Sequence, residues 1–283
     1  MMVKLIDGCV DLIYLLTAVL RFCFKVRFRP KVAVEKSKII IIGNGPSLKY
    51  DKPQIIENKK IAEFYCVNYF ACVDLFFDIK PRFYVIADQV FWRTDVNQDF
   101  KNDNQHLIDR LLVVDWEMYL ICPPKGVESL RFKLQKNSNI QVISVFANNF
   151  QFNNKKLAIL ALKYGVTSPK FNNVLVLALW HGLLMAPKLI EIYGADFSSF
   201  KEYYVDQKSN RIYSSFTHFY ENTQAQQNAG AKYPGRAEKK LYHRLFQCAD
   251  SFYQMYLCSE LAKIRDVEVK NLTTESYLDC FNR

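Results

Sequence analysis

Four consecutive isoleucines, at positions 39–42, are the feature that most constrains the fold of this chain. β-branched side chains on both sides of an extended backbone favour a strand buried on both faces, which is typical of the centre of a parallel sheet. Two glycines and a proline follow within residues 43–47, and they interrupt the strand. The sequence therefore predicts a central strand at 38–42 followed by a tight turn. The next helix is predicted either to start directly after Ser47, which can cap it, or to follow a short loop and lie at about 53–58.

The turn after this strand is a candidate phosphate site. Gly43 and Gly45 permit close approach of the backbone to a ligand, and a turn from a buried strand into a helix can direct N–H groups into open space. Asn44 lies between them, where a polar side chain has little structural work to do. A turn without a ligand would use the same glycines, so both interpretations stay open.

Composition limits the class of protein. A chain of 283 residues predicts one large α/β domain, or one domain with a subdomain. The net charge of +10 favours an anionic partner, which includes nucleic acid, anionic lipid and phosphorylated substrates. The eight cysteines are scattered without a Cys-x-x-Cys pair, so we expect reduced thiols in a cytoplasmic protein.

The first 31 residues differ from the rest of the chain. Residues 10–24 are mostly apolar, but Asp11 and Arg21 leave too short a clean run for a membrane-spanning helix. Residues 25–31 then carry four cations interleaved with Val and Phe. This pattern predicts peripheral attachment to the inner face of an anionic cell membrane. The alternative is a helix that packs on the core and is followed by a solvated charge run.

Asn44, Asn68 and Asp88 come directly after three successive predicted strands. The carboxyl ends of parallel strands meet at the ligand-binding edge of a doubly wound sheet, so we expect these side chains to lie together. The predicted fold is α/β, with a Rossmann-like, mostly parallel sheet and helices on both faces. Further strands are predicted at 60–67, 82–87, 118–122, 140–145, 189–193 and 267–272, and further helices at 127–135, 174–185 and 238–264.

Residues 198–236 are polar and rich in tyrosine, without a clear period, which suggests a lid. We predict four regions: a membrane-associating segment at 1–35, a nucleotide-sugar-binding domain at 36–197, a lid at 198–237, and a closing helix and strand at 238–283.

Two of the four histidines lie where a specific role can be predicted. His181 lies within an apolar predicted helix, so we expect a packed residue. His218 lies in the predicted lid, where an imidazole with a pKa near working pH can take a proton from an acceptor hydroxyl. A purely structural role for His218 is the alternative.

Motifs for metal-assisted nucleotide chemistry are missing from the sequence. There is no Asp-x-Asp pair to hold a divalent ion against a diphosphate, and the glycine turn lacks the Gly-Lys-Ser/Thr of a Walker loop. We therefore expect neither a metal nor a bound cofactor.

Four blocks, in order, resemble the bacterial sialyltransferases of glycosyltransferase family 42, which cap lipooligosaccharides using CMP-sialic acid. Ile-Ile-Gly-Asn-Gly-Pro-Ser-Leu at 41–48 is similar to the first strand and nucleotide loop of that family, and it is the most specific block. The others are Cys-Val-Asn-Tyr-Phe at 66–70, Glu-Ile-Tyr-Gly-Ala-Asp-Phe at 191–197, and the closing stretch at 267–278. The resemblance spans roughly 38–280 and implies a GT-A-like variant of the Rossmann-like fold.

The resemblance implies roles for individual residues. Asn44 and Asn68 would contact the cytidine monophosphate, and Asp88 stands where the family has a polar residue. Tyr204 would hydrogen-bond the leaving phosphate, and His218 matches the lid histidine taken as the general base. The full set of predicted donor contacts is Gly43, Asn44, Gly45, Ser47, Asn68, Asp88, Asn173 and Asp196.

One departure concerns the donor sugar. The family has Thr-Ser-Gly before its long helix, where this chain has Asn-Asn-Val at 172–174, and the nearby arginine has no counterpart unless Lys170 substitutes. Sialic acid is the family default, and another CMP-activated acidic sugar such as Kdo is the alternative.

The sequence thus predicts a metal-independent inverting glycosyltransferase, acting on a capsule, lipopolysaccharide or other glycolipid acceptor. A pyrophosphokinase-like enzyme is the first rival, and it would need Asp88 and Asp196 to hold magnesium. A nucleic-acid-binding protein ranks low, because Lys and Arg are spread along the chain with no strong cluster beyond 25–31. A homo-oligomer is left open.

Overall fold

A seven-stranded sheet, in which all neighbouring strands are parallel, forms the centre of the protein. The computed structural model describes residues 2–24, 28–30, 32–145, 151–215, 227–228 and 239–283. In chain order the strands of this sheet are β1 Lys38–Ile42, β2 Ala62–Val67, β3 Phe83–Val85, β4 Met118–Cys122, β5 Ile140–Ser144, β6 Leu189–Tyr193 and β10 Glu268–Asn271. A second, antiparallel sheet contains β7 Tyr203–Val205, β8 Ile212–Ser214 and β9 Gln227–Asn228.

The strand order of the large sheet is β10-β6-β1-β2-β3-β4-β5. From β1 the chain therefore builds outward in one direction to β5, and then crosses back to place β6 on the other side of β1. The predicted α/β fold with a Rossmann-like parallel sheet is confirmed.

Helices cover both faces of the sheet. They are α1 Met2–Cys23, α2 Leu48–Glu57, α3 Leu75–Ile79, α4 Gln98–Leu112, α5 Pro124–Leu134, α6 Lys155–Lys163, α7 Val174–Leu184 and α8 Leu241–Ile264. Helices α2 to α5 pack on one face, and α1, α6, α7 and α8 pack on the other.

The isoleucine run explains why β1 is central. Ile39 and Ile41 belong to the core under α7, whereas Ile40 and Ile42 belong to the core on the opposite face, and all four are fully buried. A strand with apolar side chains on both sides satisfies both layers at once, as the parallel arrangement requires.

The predicted strands are confirmed with small shifts of their ends. Helix α2 begins at Leu48, directly after Ser47, so the first of the two predicted starts is correct, and Pro53 lies inside the helix. Pro53 lacks the N–H that would bond to the Lys49 carbonyl, but both residues are exposed, so water can reach that carbonyl.

Helix α4 was not predicted. Its sequence is mostly polar, and its contact with the core is a narrow stripe that contains Leu107, Ile108 and Leu111. The lid region at 198–237 has more regular structure than we expected, because β7, β8 and β9 fall within it. The division of the chain into four regions stays a prediction.

Within the described residues, no helix combines the length and the apolar character needed to cross a membrane. Helix α1 instead packs one side against the protein: Ala18 is buried in the core, and the Tyr14 ring meets the Phe152 ring edge-on at 5.8 Å between centroids. The alternative of a core-packing helix is thus correct for this side.

Candidate active site at the carboxyl edge of the sheet

The strand order turns back at β1, so the carboxyl ends of β1 and β6 lie at a topological switch point. In open α/β sheets the crevice beside such a point is the usual ligand site. The turn at residues 43–47 leaves β1 there, and residues 194–197 leave β6 beside it.

These two turns are packed against each other backbone to backbone. The Gly43 N–H donates to the Tyr193 carbonyl at 2.8 Å, and the Gly45 N–H donates to the Gly194 carbonyl at 2.9 Å. A Cβ on Gly43 would lie 2.4 Å from the Gly194 carbonyl oxygen, and one on Gly45 would lie 1.8 Å from an Asp196 carboxylate oxygen. Close packing within the chain therefore accounts for both glycines.

Ser47 and Asp196 form a buried pair across the same contact. The Ser47 N–H donates to Oδ1 of Asp196 at 3.0 Å, and the Ser47 hydroxyl donates to Oδ2 at 2.8 Å. Burial raises the pKa of the Asp196 carboxyl, and the hydrogen bonds from Ser47 oppose that shift. The geometry gives both residues a structural role, and their predicted contact with a nucleotide stays a prediction.

Four backbone N–H groups of the β1 turn donate within the chain, so the predicted backbone seat for phosphate gains no support from them and stays a prediction. The N–H groups of Gly43, Gly45 and Ser47 donate to the β6 side, and that of Leu48 donates to the Gly45 carbonyl at 3.1 Å. None of these four groups points into open space, because the turn that follows β6 supplies their acceptors.

The stretch after β10 holds the β6 turn in place. The Ala195 N–H donates to the Thr273 hydroxyl oxygen at 3.0 Å, and the Ser276 hydroxyl donates to the Ala195 carbonyl at 2.6 Å. The Tyr277 N–H donates to the Asp196 carbonyl at 2.9 Å. These contacts give a physical role to the closing block of the sequence resemblance.

A second buried carboxyl lies in the first turn of α2. The Thr274 hydroxyl donates to Oδ1 of Asp51. Burial raises the pKa of Asp51 above its ordinary value, and the negative charge of Asp51 adds to the rise at Asp196. Sequence analysis missed Asp51, Thr273 and Thr274, although the last two follow a predicted strand as Asn68 does.

Asn44 and Asn68 lie on the other side of β1, towards β2. Nδ2 of Asn44 donates to the Val67 carbonyl at 3.2 Å, which ties the turn after β1 to the end of β2. Asn68 is the next residue, and its backbone is left-handed, with φ of 49°. Oδ1 of Asn68 is buried and has no hydrogen-bond partner within the described part of the chain. The structure thus brings together these two predicted contacts.

Asp88 lies at the end of the neighbouring strand region. Its Oδ1 accepts the Val90 N–H at 3.1 Å and so caps the short 3-10 turn Gln89–Phe91. Burial raises the pKa of Tyr69, the residue after Asn68, and the charges of Asp103 and Asp88 add to that rise. Asp88 therefore lies within electrostatic reach of the end of β2.

The amino end of α7 adjoins the β1 turn. Oδ1 of Asn173 accepts the Leu175 N–H at 2.9 Å and caps the helix. The side chain of Leu175 approaches Gly43, where an added Cβ would meet its Cδ1 at 3.0 Å. A helix amino end carries a partial positive charge, so α7 presents one at the switch point.

Both catalytic residues predicted from the resemblance fall in the predicted lid at 198–237. Tyr204 lies in β7 and is half exposed, and its ring stacks on that of Tyr213 with centroids 5.9 Å apart. His218 falls outside the described residues, so its role stays a prediction.

His181 is a packed residue, as predicted. It is 2% exposed, its Nδ1 lies 2.9 Å from the Tyr65 hydroxyl, and burial lowers its pKa to about 3. Among the described residues, no group of three or more His, Cys, Asp and Glu side chains is arranged to hold a metal ion.

One strained position was invisible to sequence analysis. Phe197 follows Asp196 directly and has φ of 54°, which is rare for a bulky residue. Its ring packs on Phe252 of α8 with centroids 5.3 Å apart, and this contact helps to hold the unusual backbone in place.

No protein-family model and no curated protein matches the chain. A solved structure that is similar is the MAf glycosyltransferase from Magnetospirillum magneticum AMB-1, with a TM-score of 0.50 and 10% sequence identity. The match covers 90% of this chain and 34% of that one, so this protein spans about a third of its neighbour's length. At this identity the likeness shows a shared fold.

Proposed function

We propose that this protein is a metal-independent inverting glycosyltransferase that moves an acidic sugar from a CMP-activated donor to a hydroxyl of a cell-surface glycan or glycolipid. The observation that carries the proposal is the Asn44–Asn68 pair at the carboxyl edge of β1 and β2. A buried amide oxygen without a donor is costly, and a cytosine amino group or a ribose hydroxyl would supply one.

Two likenesses support glycosyl transfer over other nucleotide chemistry. The neighbouring structure is a glycosyltransferase by its printed name, and it shares the fold over 90% of this chain. The sequence blocks of the β1 and β6 turns resemble family 42, and those turns pack together in the structure through Gly45 and Gly194.

The donor phosphate needs a partner other than the N–H groups of Gly43, Gly45 and Ser47, since these donate to the β6 side. The amino end of α7 lies beside the turn and favours an anion. Tyr204 remains the proposed hydrogen-bond donor to the leaving phosphate, and this role requires the β7–β9 sheet to bring its hydroxyl to the donor.

The proposed reaction is a single displacement. His218 takes the proton of the acceptor hydroxyl as its oxygen attacks the anomeric carbon, and the bond from that carbon to the phosphate oxygen breaks. CMP leaves with the electron pair of that bond. Because this leaving group carries one phosphate, the displacement does not strictly require a divalent ion.

The acidic sugar is proposed to be sialic acid, with Kdo as the alternative. Asn172 and Asn173 replace the family's Thr-Ser, and both have structural partners here: Nδ2 of Asn172 donates to Asp250 at 2.7 Å, and Asn173 caps α7. Lys170 is therefore the proposed partner of the sugar carboxylate.

Thermal unfolding with a panel of CMP, UDP, GDP and ATP tests the donor class. A ligand present at 100 times its Kd stabilises the folded state by about 2.7 kcal/mol, so CMP should raise Tm clearly and the others should not. A shift with ATP in place of CMP, together with activity lost on adding EDTA, would favour the pyrophosphokinase-like rival. That rival needs Asp88 and Asp196 on a metal, whereas Asp196 is occupied by Ser47.

His218→Ala tests the mechanism. Loss of a general base should lower kcat by about 10²–10⁴-fold and leave CMP affinity near that of the wild type. His106→Ala, which removes an exposed imidazole from α4, is the control and should change neither quantity. Full activity in His218→Ala with an unchanged pH profile would place the base elsewhere.

A further inference from the structure

Helix α1 has two sides of unusual character. The side towards the protein carries its one acidic residue between positions 8 and 24: Asp11 is buried and accepts the N–H groups of Asn153 at 2.7 Å and Asn154 at 2.8 Å. These contacts join α1 to the residues that begin α6. The polar anchor of this helix is therefore turned inward.

The side away from the protein is apolar throughout. The exposed fractions are large for residues of this type and range from 51% at Val19 to 61% at Ile13. We call this surface the α1 outer face; its large side chains are Leu12, Ile13, Leu16, Val19 and Leu20. Positions 12, 16, 19 and 20 follow helical spacing, so they share one side of α1.

A further exposed apolar patch lies where α1 meets α6. The ring of Phe22 meets that of Tyr164 edge-on at 5.5 Å between centroids, and Tyr164 and Leu160 are both 45% exposed or more. Contiguous apolar surface of this kind on a soluble domain marks an interaction site.

The charged residues of α6, and those of the stretch that follows α1, are positive. Lys156 and Lys163 lie on α6, which contains no acidic residue, and exposed Arg29 follows α1 within the basic stretch 25–31. Residues 8–24 and helix α6 thus combine an apolar face with cations, and the one acidic residue among them, Asp11, is turned inward. A surface with this composition complements anionic lipid headgroups above an acyl layer.

We propose that the α1 outer face binds the surface of an anionic lipid bilayer, with α1 lying in the plane of the interface and the sheet above it. A second copy of the chain is the competing occupant. Pairing two outer faces would bring two sets of like charges together at neutral pH, whereas anionic lipid neutralises them. The charge pattern therefore favours the bilayer.

Point substitutions test this proposal better than a truncation. Removing residues 1–31 would also remove Asp11 and Phe28, and Phe28 is buried against Trp180 with ring centroids 5.4 Å apart. A truncated chain would unfold or aggregate for reasons unrelated to lipid. Leu16→Asn with Leu20→Asn changes the outer face alone, because both side chains point away from the protein.

The experiment is co-sedimentation of the full chain with vesicles of phosphatidylglycerol and phosphatidylethanolamine, compared with vesicles of phosphatidylcholine. We expect binding to the anionic vesicles, a loss of about tenfold or more for the Leu16 and Leu20 double variant, and a fall with added salt. Replacing the four cations of 25–31 with glutamine should weaken binding roughly fivefold for each charge removed. The matched control is Val113→Asn with Phe132→Asn, which changes two side chains of similar exposure on the opposite layer and should bind as the wild type does.

Two results would overturn the proposal. One is equal binding of the Leu16 and Leu20 double variant and the wild type to anionic vesicles, with an unchanged Tm for both. The other is sedimentation equilibrium without lipid that shows a wild-type dimer dissociated by the same substitutions, which would assign the outer face to a second copy. Neither result bears on the donor-binding site, so this inference and the proposed function fail separately.

Discussion

The two sides of the carboxyl end of β1 differ in how far their buried polar groups are hydrogen-bonded within the chain. On the β6 side, backbone N–H groups of the turn donate within the protein, and Ser47 satisfies both carboxylate oxygens of Asp196. On the β2 side, Asn44 reaches the Val67 carbonyl, but Asn68 keeps a buried side-chain oxygen without a partner among the described residues. We call the β6 side the closed side, because groups of the chain itself satisfy these polar atoms. We call the β2 side the open side, because the Asn68 oxygen there lacks a hydrogen-bond donor among the described residues.

This difference shows what a glycine-rich turn after a first strand can mean. Glycines there allow close approach, but the partner that approaches Gly43 and Gly45 is the β6 turn. A topological switch point therefore does not always contain an open cavity. In this protein, contacts within the chain fill its β6 side. Under the proposed function, a nucleotide would enter from the β2 side and meet side chains there.

The largest effect should come from breaking the closed side. Gly45→Ala places a Cβ 1.8 Å from the Asp196 carboxylate, so the β1 turn must move and the Ser47 contact must break. We expect the free energy of unfolding to fall by about 3 kcal/mol or more in urea titrations.

The control is Gly182→Ala, at a buried glycine of α7 whose added Cβ would meet Ile190 at an ordinary 3.5 Å. Alanine favours a helix, so this variant should be neutral or more stable by about 0.5–1 kcal/mol. Equal effects of the two substitutions would mean that the two turns are not tightly packed.

Ser47→Ala should give the next largest effect. It removes the hydroxyl donor to a buried carboxylate while keeping the N–H donor, so stability should fall by about 1–3 kcal/mol. CMP affinity, measured by calorimetry at a temperature where the variant is folded, should stay within about twofold of the wild type. A large loss of affinity with unchanged stability would instead make Ser47 a direct nucleotide contact.

The sequence predicted the strands well because their signal is local. The run from Ile39 to Ile42 indicates burial on both faces, and this inference requires no information about the neighbouring strands. The turn contacts were not predictable in this way, because Ser47 and Asp196 are 149 residues apart. Periodicity and glycine spacing indicate where a turn lies, but they do not say which distant turn satisfies its N–H groups.

Helix α1 shows a second limit of prediction from sequence. Its apolar content predicted either a membrane or a core role, and charged residues are expected to face water. In the structure Asp11 faces inward because it accepts two N–H groups near the start of α6, and this leaves the apolar residues outside. Helix α4 was missed for the opposite reason, since its core stripe is short and its other positions are polar.

The open side is tested by Asn68→Gly, with an effect smaller than those above. Glycine accepts a φ of 49° without strain, so the substitution removes the side-chain oxygen and leaves the backbone as it is. We expect a roughly tenfold weaker CMP affinity by calorimetry, the equivalent of one hydrogen bond of about 1.4 kcal/mol.

Asn210→Gly is the matched control for that substitution. Asn210 has φ of 51° in the connection between β7 and β8, away from the edge of the large sheet. It should therefore leave CMP affinity unchanged. Unaltered affinity in both variants would remove Asn68 from the proposed nucleotide site.

The smallest expected effect is a pH dependence that belongs to the closed side. Burial raises the pKa of Asp51 and of Asp196, so the folded state holds their protons more tightly than the unfolded state does. Their contribution to stability is therefore full at low pH and is lost as the pH rises from the ordinary value of 3.8 through the raised values. Asp51→Asn keeps an oxygen for the Thr274 hydroxyl but cannot ionise, so it should gain stability relative to the wild type between pH 4 and pH 7. His181, whose contribution to stability is lost as the pH falls below 6.5 towards about 3, is present in both proteins and cancels in the difference.

Asp115→Asn is the control of opposite sign. A hydrogen bond from Lys80 lowers the pKa of Asp115, so the wild type should gain stability relative to that variant as the pH rises. Urea titrations at several pH values measure both differences. If the stability difference between wild type and Asp51→Asn does not change with pH, the Asp51 carboxyl is hydrated in solution. The contacts of the closed side would then not exclude water from this carboxyl.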